Sequence, residues 1–357
     1  CQAGADIIGG CCGTTPEHIA QMQAALETSE QPCSPPSLEV SDHENGVEAP
    51  ASLPPTHLAR KLAAGEFVVS VEMDPPRGFS AHKLLAGAHL LADAGADVIN
   101  VADSPMARMR MSPWAVCHLI QRDVGIDTVL HFPTRGRNLL RVQGDLLAAH
   151  AVDVRNVFVV MGDPTAIGDY PEAMDDYDLV PSGLIQLIQH GFNAGKDHSG
   201  ADIGEATSFL VGCALNLCPA DMEREMRVLK KKIDSGANFA LTQPTYEPQR
   251  AIEFLEMYKS KYGEFPIAIL LGLLPLYSTR HASFLHNEVP GIRIPDDTLR
   301  RIETAGDDAP GAGVQVAVEL LEQMRPHVHG VYIMPPFGRY DLAAEIIDHV
   351  RARAPVA

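Results

Sequence analysis

The chain lacks most of what would mark a membrane, secreted or nucleic-acid-binding protein. Its longest apolar stretch, Pro266 to Tyr277, is interrupted by Pro and Gly and falls well short of the ~20 residues that cross a bilayer. The seven cysteines, at 1, 11, 12, 33, 117, 213 and 218, are odd in number and sparse, unlike the dense, even frameworks of small secreted domains. A reducing cytoplasm is therefore the expected home. Basic residues are few: 28 Lys plus Arg stand against 46 Asp plus Glu, a net charge of -18. That balance opposes duplex nucleic acid or an anionic membrane as the main partner, and an anionic small ligand would need a local basic pocket. Neither an initiator Met nor a basic-then-apolar signal segment opens the chain at Cys1, so the sequence reads as a fragment.

What is present is core-forming material, 357 residues of which 46% are hydrophobic, enough for one large core or two modest ones. Residues 1–28 read as a small βα unit: a β-like run Ala5 to Ile8, a Gly-Gly-Cys-Cys-Gly turn, then a helix with Thr15 as cap and Pro16 at its first position. Residues 29–57 shift to Pro, Ser, Glu and Asp with few large apolar side chains and read as a disordered linker. From residue 58 to 357 short β-branched runs alternate with helical patterns. The expected strands are Phe67 to Glu72, Asp97 to Val101, Thr128 to His131, Asn156 to Met161, Ser208 to Ala214, Phe239 to Gln243, Ile267 to Leu271 and Gly330 to Met334. The intervening helices include Ala81 to Ala94, Arg137 to Ala149, Ala220 to Ser235 and Gly313 to Arg325. Alternation implies parallel pairing, because parallel neighbours need crossover connections. Eight units in this length suit a closed α/β (β/α)8 TIM barrel. An open doubly wound sheet is the alternative, weakened because no GxGxxG follows the first strand.

In such a barrel the reactive groups gather where the strands end. The polar residues closing or following the apolar runs are Glu72, Asp103, His131, Asp163 after Gly162, Asn216 and Gln243. Together they offer an acid that burial could keep protonated, further carboxylates, amides and an imidazole. Singly each has a plainer reading: Glu72 bonded to nearby amides, Asp163 a turn former, Gln243 a partner for sheet-end backbone, His131 a core histidine. Joint placement on one face favours function. Two cationic clusters, Arg135 with Arg137 and Arg141, and Lys230 to Lys232, are either solvated helix faces or grips for a phosphate.

Six ordered motifs resemble methylenetetrahydrofolate reductase across roughly residues 60 to 353. They are Val68-Val-Ser-Val-Glu-Met-Asp-Pro-Pro76, Asn100-Val-Ala-Asp-Ser-Pro105, Leu130-His-Phe-Pro-Thr-Arg135, Met161-Gly-Asp-Pro164, Ser235-Gly-Ala-Asn-Phe-Ala-Leu-Thr-Gln-Pro244 and Met334-Pro-Pro-Phe-Gly-Arg-Tyr340. The resemblance implies FAD at the C-terminal mouth and a ping-pong hydride relay from NADH or NADPH to methylenetetrahydrofolate. It implies Glu72 as general acid, Asp163 as the carboxylate near flavin and pterin, and Gln243 as the amide holding the pterin edge. Ala102, Asp103, His131, Arg135, Gly162, Tyr177, Lys231 and Lys232 would join Asp163 around the flavin, and Asn216 and Tyr277 would join Glu72 and Gln243 around the folate. After strand seven, Leu276-Tyr277-Ser278-Thr279 lacks the Phe that some bacterial relatives set against the nicotinamide and folate rings.

The N-terminal Gly9-Gly-Cys-Cys-Gly-Thr-Thr-Pro-Glu-His18 resembles the closing strand and helix of the zinc-dependent homocysteine S-methyltransferase barrel. The order of the two pieces is that of bacterial bifunctional proteins joining that enzyme to the reductase. In that family the two adjacent cysteines are zinc ligands with an upstream third. Here Cys11 and Cys12 alone do not complete a site, so no metal is expected in this piece. Zinc-dependent methyl transfer by a longer protein, and a non-catalytic folate- or flavin-binding barrel, are the competing functions. The donor, NADH or NADPH, and any homo-oligomer are left open.

Overall fold

A computed structural model describes residues 8–27, 53–289 and 291–352. Contacts divide the chain into two units, Cys1–Ser52 and Leu53–Ala357. In the first, helix α1 spans Pro16–Glu27, and its start is tied by the Thr15 N–H donating to His18 Nδ1 at 3.1 Å. The expected β-like run falls mostly outside the described residues, and its last member, Ile8, is not in a strand. Residues 29–52 of the expected linker also lie outside them.

The second unit begins with α2 (His57–Ala63) and then follows strand–helix alternation. In order come β1 (Val68–Met73), α3 (His82–Asp93), β2 (Val98–Val101), α4 (Pro113–Val124), β3 (Asp127–Pro133), α5 (Leu139–Ala151), β4 (Asn156–Val160) and α6 (Pro181–Gln186). The second half adds β5 (Leu210–Leu215), α7 (Met222–Asp234), β6 (Phe239–Pro244), α8 (Pro248–Tyr262), β7 (Ala268–Leu273), α9 (Thr279–Glu288), α10 (Asp296–Ala305), α11 (Ala309–Met324), β8 (Gly330–Ile333) and α12 (Tyr340–Ala352). The strands close as β1 through β8 in sequence order, every pair parallel, with β1 against β8 completing the ring. This is the TIM barrel the alternation implied.

The turns follow from local chemistry. After α3, the Ala96 N–H bonds to Leu91 O and that of Gly95 to Ala92 O, with Gly95 at φ +100°; α7 ends the same way through Gly236 and Ala237. Both are left-handed glycine caps that satisfy otherwise orphaned carbonyls. Helices α5 and α7 start later than the pattern suggested, because Asn138 and Asp221 cap them by accepting from the N–H groups of Arg141 and Arg224.

Side chains alternate between two packed layers. One set of strand residues packs outward against the helices. The other fills the barrel: Val68, Val98, Val129, Phe158, Phe239, Leu241, Leu270 and Tyr332. Phe239 is fully buried and occupies the room left by Gly212, where a Cβ would stand 2.4 Å from its ring.

Leu58 of α2 joins this interior cluster and stoppers the N-terminal base. Its N–H donates to Asp127 at 3.0 Å, Lys61 pairs with Asp97 at 2.8 Å, and Arg155 donates to Pro54 O at 2.8 Å. The Thr56 hydroxyl caps α2 by accepting from Ala59 N at 3.2 Å and donates to buried Asn156 Oδ1 at 2.6 Å. Residues from 53 onward thus belong to the barrel's base. Thr56→Val removes the cap and strands a buried acceptor, and we expect a loss of about 2 kcal/mol, read as a lowered urea midpoint with an unchanged slope.

Candidate active site

At the opposite end, the C-terminal mouth, lies a cavity of about 690 Å³. The two-residue period of the strands aims alternate side chains at the interior, so the last inward position of a strand meets this space. Glu72 from β1, His131 from β3, Ala214 from β5 and Gln243 from β6 all line it, with Asp163 from the loop after β4. Ala102, Asp103, Gly162, Lys231 and Lys232 complete the anticipated residues on its wall.

Glu72 and His131 are both strongly perturbed. Burial, with the negative charges of Asp74 and Asp163 nearby, pushes the Glu72 carboxyl up to about 8, so it keeps its proton at neutral pH. Its side chain is 24% exposed. Oε2 accepts from the Tyr332 hydroxyl and sits 4.0 Å from His131 Nδ1, while Oε1 has no hydrogen-bond partner among the described residues. Burial lowers His131 to about 3, so the imidazole is neutral, and its Nε2 is buried without a partner. The ring is braced edge-on by Phe158 at 4.8 Å and Tyr332 at 6.2 Å between centroids.

Asp163 reaches the mouth because Gly162 turns the chain sharply at φ +89°, where a Cβ would press to 2.8 Å from Pro133. Its Oδ2 accepts the Met106 N–H at 2.7 Å. That bond holds a strained loop, for Ser104, Met106 and Ala107 all have positive φ without being glycine, a conformation costing of order 1 kcal/mol or more each. Asp103 bonds Arg137 at 2.6 Å, and Arg137 also holds Asp145 at 2.6 Å and covers the Phe132 ring at 4.5 Å.

The basic residues play different parts. Lys232 is nearly buried and donates to Ala214 O at 2.6 Å, bracing β5, whereas Lys231 lines the cavity and has no ion-pair partner among the described residues. Lys230 pairs with Asp234. Arg135 does not line the cavity: it ties the loop after β4 through Asp175 at 2.5 Å and Gly162 O at 3.2 Å, facing a neighbouring recess of about 320 Å³. Exposed Tyr177 lies under that guanidinium, 6.0 Å from it, and is likewise outside the cavity. Asn216 stands beside Gln243, both amides 3.2 Å from the Cβ position of Gly291, yet outside the lining. Tyr277 is on the rim between β7 and β8, its hydroxyl accepting from Arg339 at 3.2 Å and its ring edge-on to Phe337 at 5.5 Å. The sequence reading missed Tyr332, Asp74 and the cavity-lining Ser182; a hydroxyl at an inward-facing position of β8 was the available signal for Tyr332.

The Methylenetetrahydrofolate reductase family model matches residues 57–350, the whole barrel. The chain belongs to the methylenetetrahydrofolate reductase family. Similar curated proteins are methylenetetrahydrofolate reductase 1 of Schizosaccharomyces pombe, 24% identical over 58% of this chain, and methylenetetrahydrofolate reductase 2 of Saccharomyces cerevisiae, 23% identical over 57%. Methylenetetrahydrofolate reductase (NADH) 1 of Arabidopsis thaliana is 21% identical over 58%. The matches span 33%, 33% and 35% of those proteins, so the chain covers about a third of their length. A solved structure of an uncharacterized Clostridium thermocellum protein, which binds two copies of 5-methyl-5,6,7,8-tetrahydrofolic acid, shares the fold. It aligns with a TM-score of 0.59 at 14% identity, covering 83% of this chain and 99% of that one. The homocysteine S-methyltransferase family model matches only residues 1–26. There Cys11 and Cys12 are exposed with their sulfurs 3.9 Å apart, and among the described residues no group of three or more His, Cys, Asp or Glu could hold a metal ion. No described helix is long and apolar enough to cross a membrane.

Proposed function

We propose that this methylenetetrahydrofolate reductase family barrel reduces 5,10-methylenetetrahydrofolate to 5-methyltetrahydrofolate at the expense of NADH or NADPH, in two half-reactions sharing one cavity. The observation that carries the reading is the convergence of a protonated Glu72, a second carboxylate Asp163 and the unbonded amide of Gln243 on one space. Bound FAD would supply a two-electron relay, accepting hydride from the nicotinamide and returning it to the folate. The residues present suit that group: the orphaned Nε2 of His131 can donate to or accept from a polar edge according to its tautomer, the Gly162 turn leaves a wall without a side chain, and Lys231 offers an uncommitted charge for a phosphate. Ala102, Asp103, Gly162 and Lys231 would hold FAD; Arg135 and Tyr177 would act by ordering the adjoining loop.

Glu72 would protonate the departing amine as the folate's five-membered ring opens. Asp163 would stabilise the resulting iminium cation from the loop at the mouth, and Gln243 would fix the pterin edge so that the methylene carbon is presented correctly. Asn216, beside Gln243, and Tyr277 would shape the rim toward the rest of the folate. The sparse, odd cysteines support a cytoplasmic setting, and homo-oligomer formation is compatible with the exposed helical shell.

The direct test is to purify the chain, record a flavin absorption band, and follow anaerobic bleaching by reduced nicotinamide and recovery by methylenetetrahydrofolate. Lys231→Ala should weaken FAD retention about tenfold in a dialysis titration. A flavin-loaded protein that bleaches but never recovers with the folate would sink the reading. The short N-terminal match favours a second activity only in a longer protein, where an upstream thiolate would join Cys11 and Cys12 on zinc to methylate homocysteine; stoichiometric zinc in this chain would contradict that division.

A further inference from the structure

We infer that Tyr332 is a positioning residue that selects which oxygen of Glu72 carries the transferable proton; this rests on the proposed reductase reading. Strand β8 is the hydrogen-bonded neighbour of β1, with Tyr332 opposite Ser70, so the ring rises inside the barrel one inward position below Glu72. It is 5% exposed, and its hydroxyl donates to Glu72 Oε2. A protonated carboxyl has one hydroxyl-like and one carbonyl-like oxygen. A phenol donating to Oε2 makes that the carbonyl-like one and leaves the proton on Oε1, the oxygen with no protein partner among the described residues. The acid is thereby aimed at the cavity before substrate arrives.

Among the described residues no other group hydrogen-bonds the Glu72 carboxyl. His131 Nδ1 is 4.0 Å from Oε2, beyond hydrogen-bond reach, and its ring is neutral. Asn100, opposite Glu72 on β2, donates through its amide nitrogen to Ser70, and its Oδ1, buried without a partner, makes no hydrogen bond to Glu72. Asp74 and Asp163 repel a charge on Glu72 but donate nothing, Arg110 acts on Asp74, and Tyr340 of α12 feels Asp74 and Glu72 only through their charge. The phenol should bond the ionised carboxylate more strongly than the neutral acid, so its removal should raise the Glu72 pKa.

The test follows the Glu72 carboxyl carbon by NMR in the chain as purified, its signal identified by loss in Glu72→Gln. In Tyr332→Phe the titration midpoint should move up by about half to one unit. The folate half-reaction at neutral pH should slow roughly tenfold while nicotinamide bleaching stays within about twofold. An unmoved midpoint, or equal slowing of both half-reactions, overturns the inference. Should Tyr332→Phe fail to fold, the native chain carries the test. The tyrosine near-ultraviolet band should shift as Glu72 ionises, with no such step in Glu72→Gln; absence of the step in the native chain refutes the bond. A shifted midpoint in a chain that never reduces the folate would instead retain the proton placement and remove the reductase reading.

Discussion

Glu72→Gln is expected to bleach normally with reduced nicotinamide and to lose the folate half-reaction by roughly 10²–10⁴-fold, the usual worth of a positioned general acid. Hydride transfer from the nicotinamide needs no proton from Glu72, whereas opening the folate ring needs one at a departing amine. The amide keeps the shape and a hydrogen-bonding group for Tyr332 but has no acidic proton. The pH dependence follows from the upward shift. With the native acid titrating near 8, the folate step should be level below that value, where the carboxyl is protonated, and fall about tenfold per pH unit above it. In the Gln variant the limb should vanish, leaving a low, flat profile. Anaerobic stopped-flow at the flavin band reads both half-reactions separately. Equal slowing of the two, or a limb that survives in the variant, would remove Glu72 from the acid role.

Phe239→Ala should be the most destabilising single change in the barrel interior, by about 3–5 kcal/mol. The ring is fully buried, it fills the gap over Gly212, and no neighbouring backbone can collapse into the void because each belongs to a closed parallel ladder. The expected fall in thermal midpoint is on the order of 10 °C. A second substitution makes the explanation specific. Gly212→Ala alone should destabilise, because its Cβ meets the Phe239 ring at 2.4 Å; in the Phe239→Ala background that clash is gone and the added methyl occupies part of the void. The pair should therefore be strongly non-additive. Simple additivity in calorimetry or urea unfolding would show that ring and glycine do not share this space.

The eight strands were legible because a parallel strand covered on both faces must be written in β-branched and aliphatic residues, and each run had a helical pattern beside it. Their ends were less so: β7 continues to Leu273 rather than stopping at Leu271, since nothing in an apolar run marks where pairing ceases. At the mouth, Glu72, His131, Asp163 and Gln243 could be found from one rule, a polar residue closing or following an apolar strand. Arg135 and Tyr177 could not be excluded from the cavity that way: Arg135 is turned aside by Asp175, forty positions further on, and Tyr177 lies under the Arg135 guanidinium. Tyr332 was hidden for the opposite reason. A tyrosine within a strand reads as core packing, and only the closure of β8 on β1 brings its hydroxyl to a carboxyl 260 positions away.

Leu58, with the ties from α2 and its cap to Asp97, Asp127 and Asn156, plugs the barrel at its base. On the proposed reading, whatever reacts above Glu72 would leave through the mouth by which it came. Donor and acceptor would then compete for one threshold, and turnover would become an alternation of guests enforced by architecture as much as by chemistry.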